Sequence, residues 1–340
     1  MAGAMTPSIG VNEAALADYL ARELDLKGGM TVTPISGGQS NPTFFVTSGD
    51  RSLVLRKQPE GRLQKGAHAV DREFRVLSAL TNTDVPVPRP LTYCDDPSVL
   101  GTPFYVMERI DGRVFHDASL PDLSPAERRG VYLSMAKAMA KLHAVRPENI
   151  GLSDYGSPGN YFERQVSRWG RQWRESALTG MPEIDQLERW LFDNMPDDDG
   201  AVSIAHGDFR LGNLIFDRDS TRVAGILDWE LSTLGHPLAD LGFCCMAWRT
   251  TPAEYGGIRD LDMAGLGIPT RTEFVDEYYR HATPTAPLEP FHEAFALFRF
   301  AVIFVGIAER SKQGNAVGDR AAELEHLAPA FARRGLEITG

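Results

Sequence analysis

The chain of 340 residues is 43% hydrophobic and 24% charged, which fits a folded protein with a substantial core and excludes a disordered one. Its 35 Lys and Arg against 46 Asp and Glu leave a net charge of −11, so no nucleic-acid partner is expected, because that needs a basic footprint to displace counterions. Three cysteines, with Cys244 and Cys245 adjacent, make no disulfide framework and suit a reducing compartment.

The N-terminus MAGAMTPSIG has no basic start followed by an apolar stretch, so no secretory signal is expected. Residues 294–308 form the most apolar run, but it is shorter than the roughly 20 residues of a membrane span and contains Arg299. A buried core helix is expected there, in a cytoplasmic protein with no membrane partner.

Leu16, Tyr19 and Leu20 are spaced for a short leading helix. Residues 31–35 and 43–47 are rich in β-branched and aromatic side chains and flank the loop Ser36-Gly37-Gly38-Gln39-Ser40-Asn41. Ser48-Gly49-Asp50 is turn chemistry, and residues 52–56 resume as a third antiparallel strand. Residues 69–80 follow as a helix with an apolar stripe of Val70, Phe74 and Leu77. Pro86, Pro88 and Pro90 favour extended chain, and residues 104–107 read as a buried strand. A boundary is expected there, dividing the chain into residues 1–108 and 109–340.

Beyond it the pattern is mostly helical. Ser124-Pro125-Ala126-Glu127 is a capping-box start to a helix running to about Ala144. Residues 161–177, 183–194, 272–282, 288–312 and 321–334 are further expected helices. Residues 201–205 and 224–227 are short apolar runs, each ending at a charged cluster. There is no internal repeat and no low-complexity segment.

Those clusters are the most informative residues: His206-Gly207-Asp208-Phe209-Arg210-Leu211-Gly212-Asn213, then Ile226-Leu227-Asp228-Trp229-Glu230. Phosphoryl transfer needs a carboxylate to accept the attacking hydroxyl's proton and oxygen ligands for the magnesium on the nucleotide. Asp208 can orient or deprotonate the hydroxyl, Asn213 and Asp228 can hold Mg2+, and Arg210 can offset charge on the transferring group. His206 and Asp240 read as structural rather than catalytic.

These residues resemble the protein-kinase template and, within it, the aminoglycoside phosphotransferase and choline kinase superfamily, which has His-Gly-Asp and Asp-Trp at these places. Gly235-His236-Pro237-Leu238-Ala239-Asp240-Leu241-Gly242 and the residues 36–44 carry the same likeness, which covers about residues 30–310. Asn41-Pro42-Thr43-Phe44 and Leu53-Val54-Leu55-Arg56-Lys57 are most similar to the kinase-like domain fused to some acyl-CoA dehydrogenases, of which this chain would be a free-standing version. The resemblance implies an α+β bilobal kinase-like fold, with a small antiparallel-sheet N-lobe, a larger helical C-lobe, and ATP and Mg2+ as cofactors. Gly37 and Gly38 would let backbone amides approach the phosphates, with Ser40 and Asn41 binding phosphate or capping the hairpin. Met107, Glu108 and Ile110 would meet adenine through backbone groups.

The resemblance aligns Arg56 with the usual strand lysine. Alternation sends Arg56 and Lys57 to opposite faces, and Arg56 is expected to pair with Glu73. Glu230 could aid the metal or substrate. Arg164, Arg168, Trp169, Arg171, Trp173 and Arg174 could line an acceptor site or form a solvated helix face. Cys244 and Cys245 are expected as buried small residues rather than zinc ligands.

The expected activity is transfer of the ATP γ-phosphoryl group to a hydroxyl of a small molecule. A hydroxyacyl-CoA or hydroxy acid comes first, an aminoglycoside or amino alcohol is the alternative, and a nucleotide-binding pseudokinase is a reading of another class. The short interval between Asp228 and Asp240 leaves little room for the peptide platform of a protein kinase. The oligomeric state is not legible.

Overall fold

The computed structural model describes residues 10–35, 41–61, 68–157, 159–178, 180–282, 286–312 and 324–340. The chain forms two compact units, one of Met1–Gly112 with Ala224–Leu231 and the other of Arg113–Val223 with Ser232–Gly340.

The first unit opens with helix α1 (Glu13–Leu24), capped by the Asn12 side chain, which accepts from Ala15 N–H at 3.1 Å. Strands β1 (Met30–Pro34), β2 (Thr43–Ser48) and β3 (Arg51–Lys57) follow, then α2 (Val70–Leu80), β4 (Pro90–Cys94), α3 (Pro97–Leu100) and β5 (Phe104–Glu108). They build one five-stranded sheet in the order β1-β2-β3-β5-β4. Ser48 pairs with Arg51 across Gly49-Asp50, and Gly49 has φ +59°, the left-handed conformation a two-residue hairpin turn requires. Leu16 and Leu20 of α1 pack on Val32, Val46, Leu55, Phe104 and Val106 to form this unit's core. The sequence pattern leaves out β4, an edge strand beginning at a proline, where a missing N–H is tolerated.

In the second unit α4 (Pro125–Ala144) starts with the expected capping box: the Ser124 and Glu127 side chains each serve the other's backbone N–H. Helices α5 (Tyr161–Arg174), α6 (Pro182–Asp193), α7 (Pro237–Cys245), α8 (Met263–Leu266), α9 (Arg271–His281), α10 (Pro290–Lys312) and α11 (Leu327–Leu336) complete it. Of the expected helices, α5 stops three residues earlier, at Arg174, and the described part of the last one begins at Leu327. Helix α7 is not predicted by periodicity because every one of its residues is buried, so it has no polar stripe. A short antiparallel pair, Ser203–Ala205 with Thr233–Gly235, carries the chain into the His206 loop.

Helix α10 packs against α11, α7, α6 and α5. Its stretch Pro290–Ser311 is long and apolar enough to cross a membrane, with mean hydropathy 1.7, but 78% of the apolar window is buried inside the protein. It is a core helix, as the interrupting Arg299 suggests.

Candidate functional site

In the first unit five of the residues that matter come together around β3. Arg56 projects from one face of the strand, and its Nε lies 2.8 Å from Glu73 Oε2 on α2, an ionic contact out of line with the N–H. Its Nη2 donates to Asp228 Oδ1 at 2.7 Å and lies 3.8 Å from Glu230 Oε2. Burial alone would lower the Arg56 pKa, but Glu73, Tyr105, Asp228 and Glu230 carry it above its ordinary value, so the guanidinium stays charged. Burial pushes the Glu73 carboxyl up while Arg56 pulls it back.

Glu73 is only 1% exposed and also accepts from Asn41 Nδ2 at 2.7 Å and Tyr105 Oη at 3.1 Å. The Asn41 side chain is thus directed at Glu73 in this structure. It is buried, with its Oδ1 3.1 Å from His68 Nδ1, and it braces the carboxylate that holds Arg56. Lys57 faces the other way, its Nζ donating to the carbonyls of Gly10 and Leu100 and to Glu60. The strand alternation thus separates the two cations as expected, and Arg56 alone meets the acidic cluster.

Asp228 has φ +63°, a left-handed backbone that aspartate tolerates better than most residues, and it is followed by a 3₁₀ turn over Trp229–Leu231. Trp229 is buried and donates its indole N–H to the Ile226 carbonyl at 3.0 Å, which pins this turn. Gly37, Gly38 and Ser40 lie outside the described residues. Met107 sits buried at the end of β5, Glu108 N–H donates to the Arg89 carbonyl at 2.9 Å, and Ile110 follows beyond the strand. That bond engages the Glu108 N–H within the unit.

The second unit gathers Asp208, Arg210 and Asn213. Asn213 Nδ2 donates to both the Asp208 carbonyl (2.9 Å) and Asp208 Oδ2 (2.8 Å), and Arg210 Nε donates to the same Oδ2 at 3.1 Å. Two bonds commit the Asn213 amide nitrogen, so its Oδ1 is the atom left for a cation.

The loop is anchored from beneath. Asp240 on α7, 1% exposed, accepts from His206 N–H at 2.6 Å, Gly207 N–H at 2.9 Å and His143 Nε2 at 3.3 Å. Burial would raise its pKa, but His143, His206 and the Gly207 N–H hold it below the usual carboxylate range. The structural reading of Asp240 and of fully buried His206 stands, with Asp208 N–H donating to His206 Nδ1 at 3.2 Å.

Beside this loop lies a cavity of about 370 Å³ lined by Tyr132, Met135, Met246, Trp248, Phe274 and Phe300. Arg210 and His116 are the cationic or titratable nitrogen groups on its lining, and no carboxylate among the described residues lines it. A Cβ on Gly212 would sit 2.7 Å from Arg210 Nη1 and 3.2 Å from His116 Nδ1, so the bare glycine lets these groups converge. His116 went unremarked in the sequence because nothing in its neighbourhood forms a motif.

A larger cavity of about 680 Å³ in the same unit, lined by Asp154, Asp197 and Glu289 among others, touches none of the expected residues except Arg164, Gly235 and His236. The α5 residues Arg168, Trp169, Arg171, Trp173 and Arg174 line neither cavity, and Trp173 donates instead to Asp185 at 2.7 Å. Cys244 and Cys245 are buried, with burial pushing the Cys244 thiol well up, and Cys244 Sγ donates to the Phe209 carbonyl. No cluster of three or more His, Cys, Asp or Glu among the described residues could hold a metal.

Residues 31–273 match the family model described as the phosphotransferase enzyme family. The chain belongs to that family. A crystal structure of a Ralstonia eutropha JMP134 protein, provisionally named an aminoglycoside phosphotransferase, is similar to this phosphotransferase at 40% identity and a TM-score of 0.88, covering 96% of this chain and 98% of that one. Acyl-CoA dehydrogenase family member 11 of Rattus norvegicus is 40% identical over 335 residues, 96% of this chain. The phosphotransferase spans 43% of that relative's length. Aminoglycoside phosphotransferase APH(4)-Ia, solved with AMP-PNP and hygromycin B, shares the bilobal kinase-like fold at a TM-score of 0.60 and 15% identity, covering 94% of this chain and 98% of that one.

Proposed function

We propose that this phosphotransferase moves the γ-phosphoryl group of ATP to a hydroxyl on a small molecule with an apolar body, such as a hydroxy acid or its acyl-CoA thioester. The observation that carries the reading is the cavity beside Asp208: aromatic and Met walls, a basic rim and no lining carboxylate. Such a site solvates an alkyl chain and an adjacent carbonyl or carboxylate. It gives a polycationic aminoglycoside no charge to pair with, and burying unpaired cations is expensive. The likeness to acyl-CoA dehydrogenase family member 11 supports an acyl acceptor, and the fold shared with a protein solved with AMP-PNP supports a nucleotide donor.

In this reading Asp208 orients the acceptor hydroxyl and takes its proton, with Asn213 and Arg210 fixing the carboxylate on one oxygen. Arg56, held by Glu73, meets the nucleotide phosphates. Asn213 Oδ1 and the Asp228 carboxylate are each a hard oxygen donor of the kind magnesium takes, one neutral and one anionic, so the chemistry of each suits that ion. When bound, it neutralises phosphate charge. The Arg at the strand-lysine position also supports a second reading, a nucleotide-binding regulator without turnover.

The test is ATP turnover with magnesium across hydroxy acids, their CoA thioesters, amino alcohols and aminoglycosides, for wild type and Asp208→Ala. Transfer to apolar hydroxy acceptors, falling about 10²- to 10⁴-fold in the variant, is expected. Equal transfer by both proteins would end the role of Asp208, and transfer to polycations alone would end the acceptor assignment. ATP binding without transfer to any acceptor would favour the regulator.

A further inference from the structure

One charged side chain stands out on helix α10. Arg299 sits between buried Phe298 and Phe300 in an otherwise apolar stretch, and its Nε is buried with no hydrogen-bond partner. Its guanidinium carbon lies 5.7 Å from the Trp169 ring centroid on α5, within cation–π range. Leaving a buried donor unpaired is destabilising, so a residue kept only for stability would be replaced by an apolar one.

The other end of the guanidinium explains it. Arg299 Nη2 donates to the Gly207 carbonyl at 2.8 Å. That carbonyl belongs to the peptide joining Gly207 to Asp208, and the same peptide's N–H donates to His206 Nδ1 at 3.2 Å. The plane is therefore gripped on both edges, and its tilt sets the φ of Asp208 and the direction of its carboxylate. Asp240 grips the preceding N–H groups, of His206 and Gly207, but does not touch this plane. Gly207, at φ +82°, is a flexible joint next to the residue that must point accurately, and it needs such a clamp.

We infer that Arg299 is a positioning residue for Asp208, acting through the Gly207 carbonyl; this rests on the proposed role of Asp208 in phosphoryl transfer. Trp169 lies against the guanidinium within cation–π range. A misdirected base affects the chemical step and leaves both substrates' binding intact.

The experiment compares wild type, Arg299→Gln, Arg299→Lys, Asp208→Asn and the Arg299→Gln/Asp208→Asn double variant. Turnover of ATP with magnesium is followed with 3-hydroxybutyryl-CoA as acceptor and with water as the default acceptor. Arg299→Gln is expected to lower kcat about 30-fold with both KM values unchanged, and Arg299→Lys to recover most of it. On the Asp208→Asn background the same change is expected to cost nothing further. Full activity in Arg299→Gln, or an equal loss on both backgrounds, would overturn the inference.

Amide hydrogen exchange reads the same plane without turnover. The Asp208 amide is expected to exchange about tenfold faster in Arg299→Gln while the Gly207 amide, held by Asp240, keeps its rate. Unchanged exchange at Asp208 overturns the inference. A wild type that transfers to neither acceptor defeats the functional reading alone, because exchange still decides the clamp.

Discussion

Replacing Asp240 by Asn removes one proton-accepting oxygen at the base of the His206–Asn213 loop with almost no change in shape. In the wild type Oδ2 receives His206 N–H and His143 Nε2 while Oδ1 receives Gly207 N–H, so both oxygens serve as acceptors. An asparagine must turn its NH2 toward one side. Facing His206 or Gly207, it sets donor against donor, and one buried backbone N–H loses its acceptor either way. A lost charge-assisted bond is worth about 1.5–3 kcal/mol and a buried orphan about 1–3 kcal/mol, so the change should destabilise by about 3–5 kcal/mol. For a protein of this size that is a fall in Tm of about 4–7 °C, read by intrinsic tryptophan fluorescence.

The pH dependence gives a second reading of the same bond set. Asp240 is held below the ordinary carboxylate pKa, so its contribution is present above the unfolded value near 4 and is lost as pH falls through the folded one. The stability difference between wild type and Asp240→Asn should therefore be full at pH 7 and shrink progressively below about pH 4. A Tm within about 2 °C of wild type at pH 7, or a difference that grows in acid, would refute the reasoning.

Other substitutions probe the remaining parts. Arg56→Lys keeps the charge but loses the fork that spans Glu73 and Asp228, so the KM for ATP should rise about tenfold in steady-state assays, whereas Lys57→Met should leave it unchanged and lower Tm. Gly212→Ala places a methyl against the flexible end of Arg210 and against His116, so kcat/KM should fall about tenfold with Tm preserved. Ala247 lines the apolar cavity, so Ala247→Phe should raise the KM of long-chain acceptors and spare the shortest, as a chain-length series would show.

Much of this was legible in the residues because it rests on local chemistry. The Gly49-Asp50 turn, the Ser124–Glu127 box and the alternation of Arg56 and Lys57 each follow from rules spanning a few positions. The pairing of Arg56 with Glu73 was expected from the resemblance to the kinase template, which aligns Arg56 with the strand lysine, and the contact is present. Helix α7 escaped because complete burial erases helical periodicity, and β4 because its proline speaks against a strand unless it lies at an edge. Asn41 turned inward to Glu73, a choice that depends on a partner 32 positions away. The cavity walls come from Tyr132, Trp248, Phe274 and Phe300, which only folding brings together. Arg299 could have been found as the lone charge in the apolar run 294–308, but the carbonyl it holds is 92 positions distant.

Incubation with ATP carrying ¹⁸O on its γ-phosphoryl oxygens, followed by mass spectrometry of a hydroxyacyl acceptor, tests the central claim most directly. The account predicts a phosphomonoester on the acceptor hydroxyl that retains all the labelled non-bridging oxygens, formed by wild type and nearly absent with Asp208→Ala. Label found only in inorganic phosphate, or an identical labelled ester from both proteins, would contradict it.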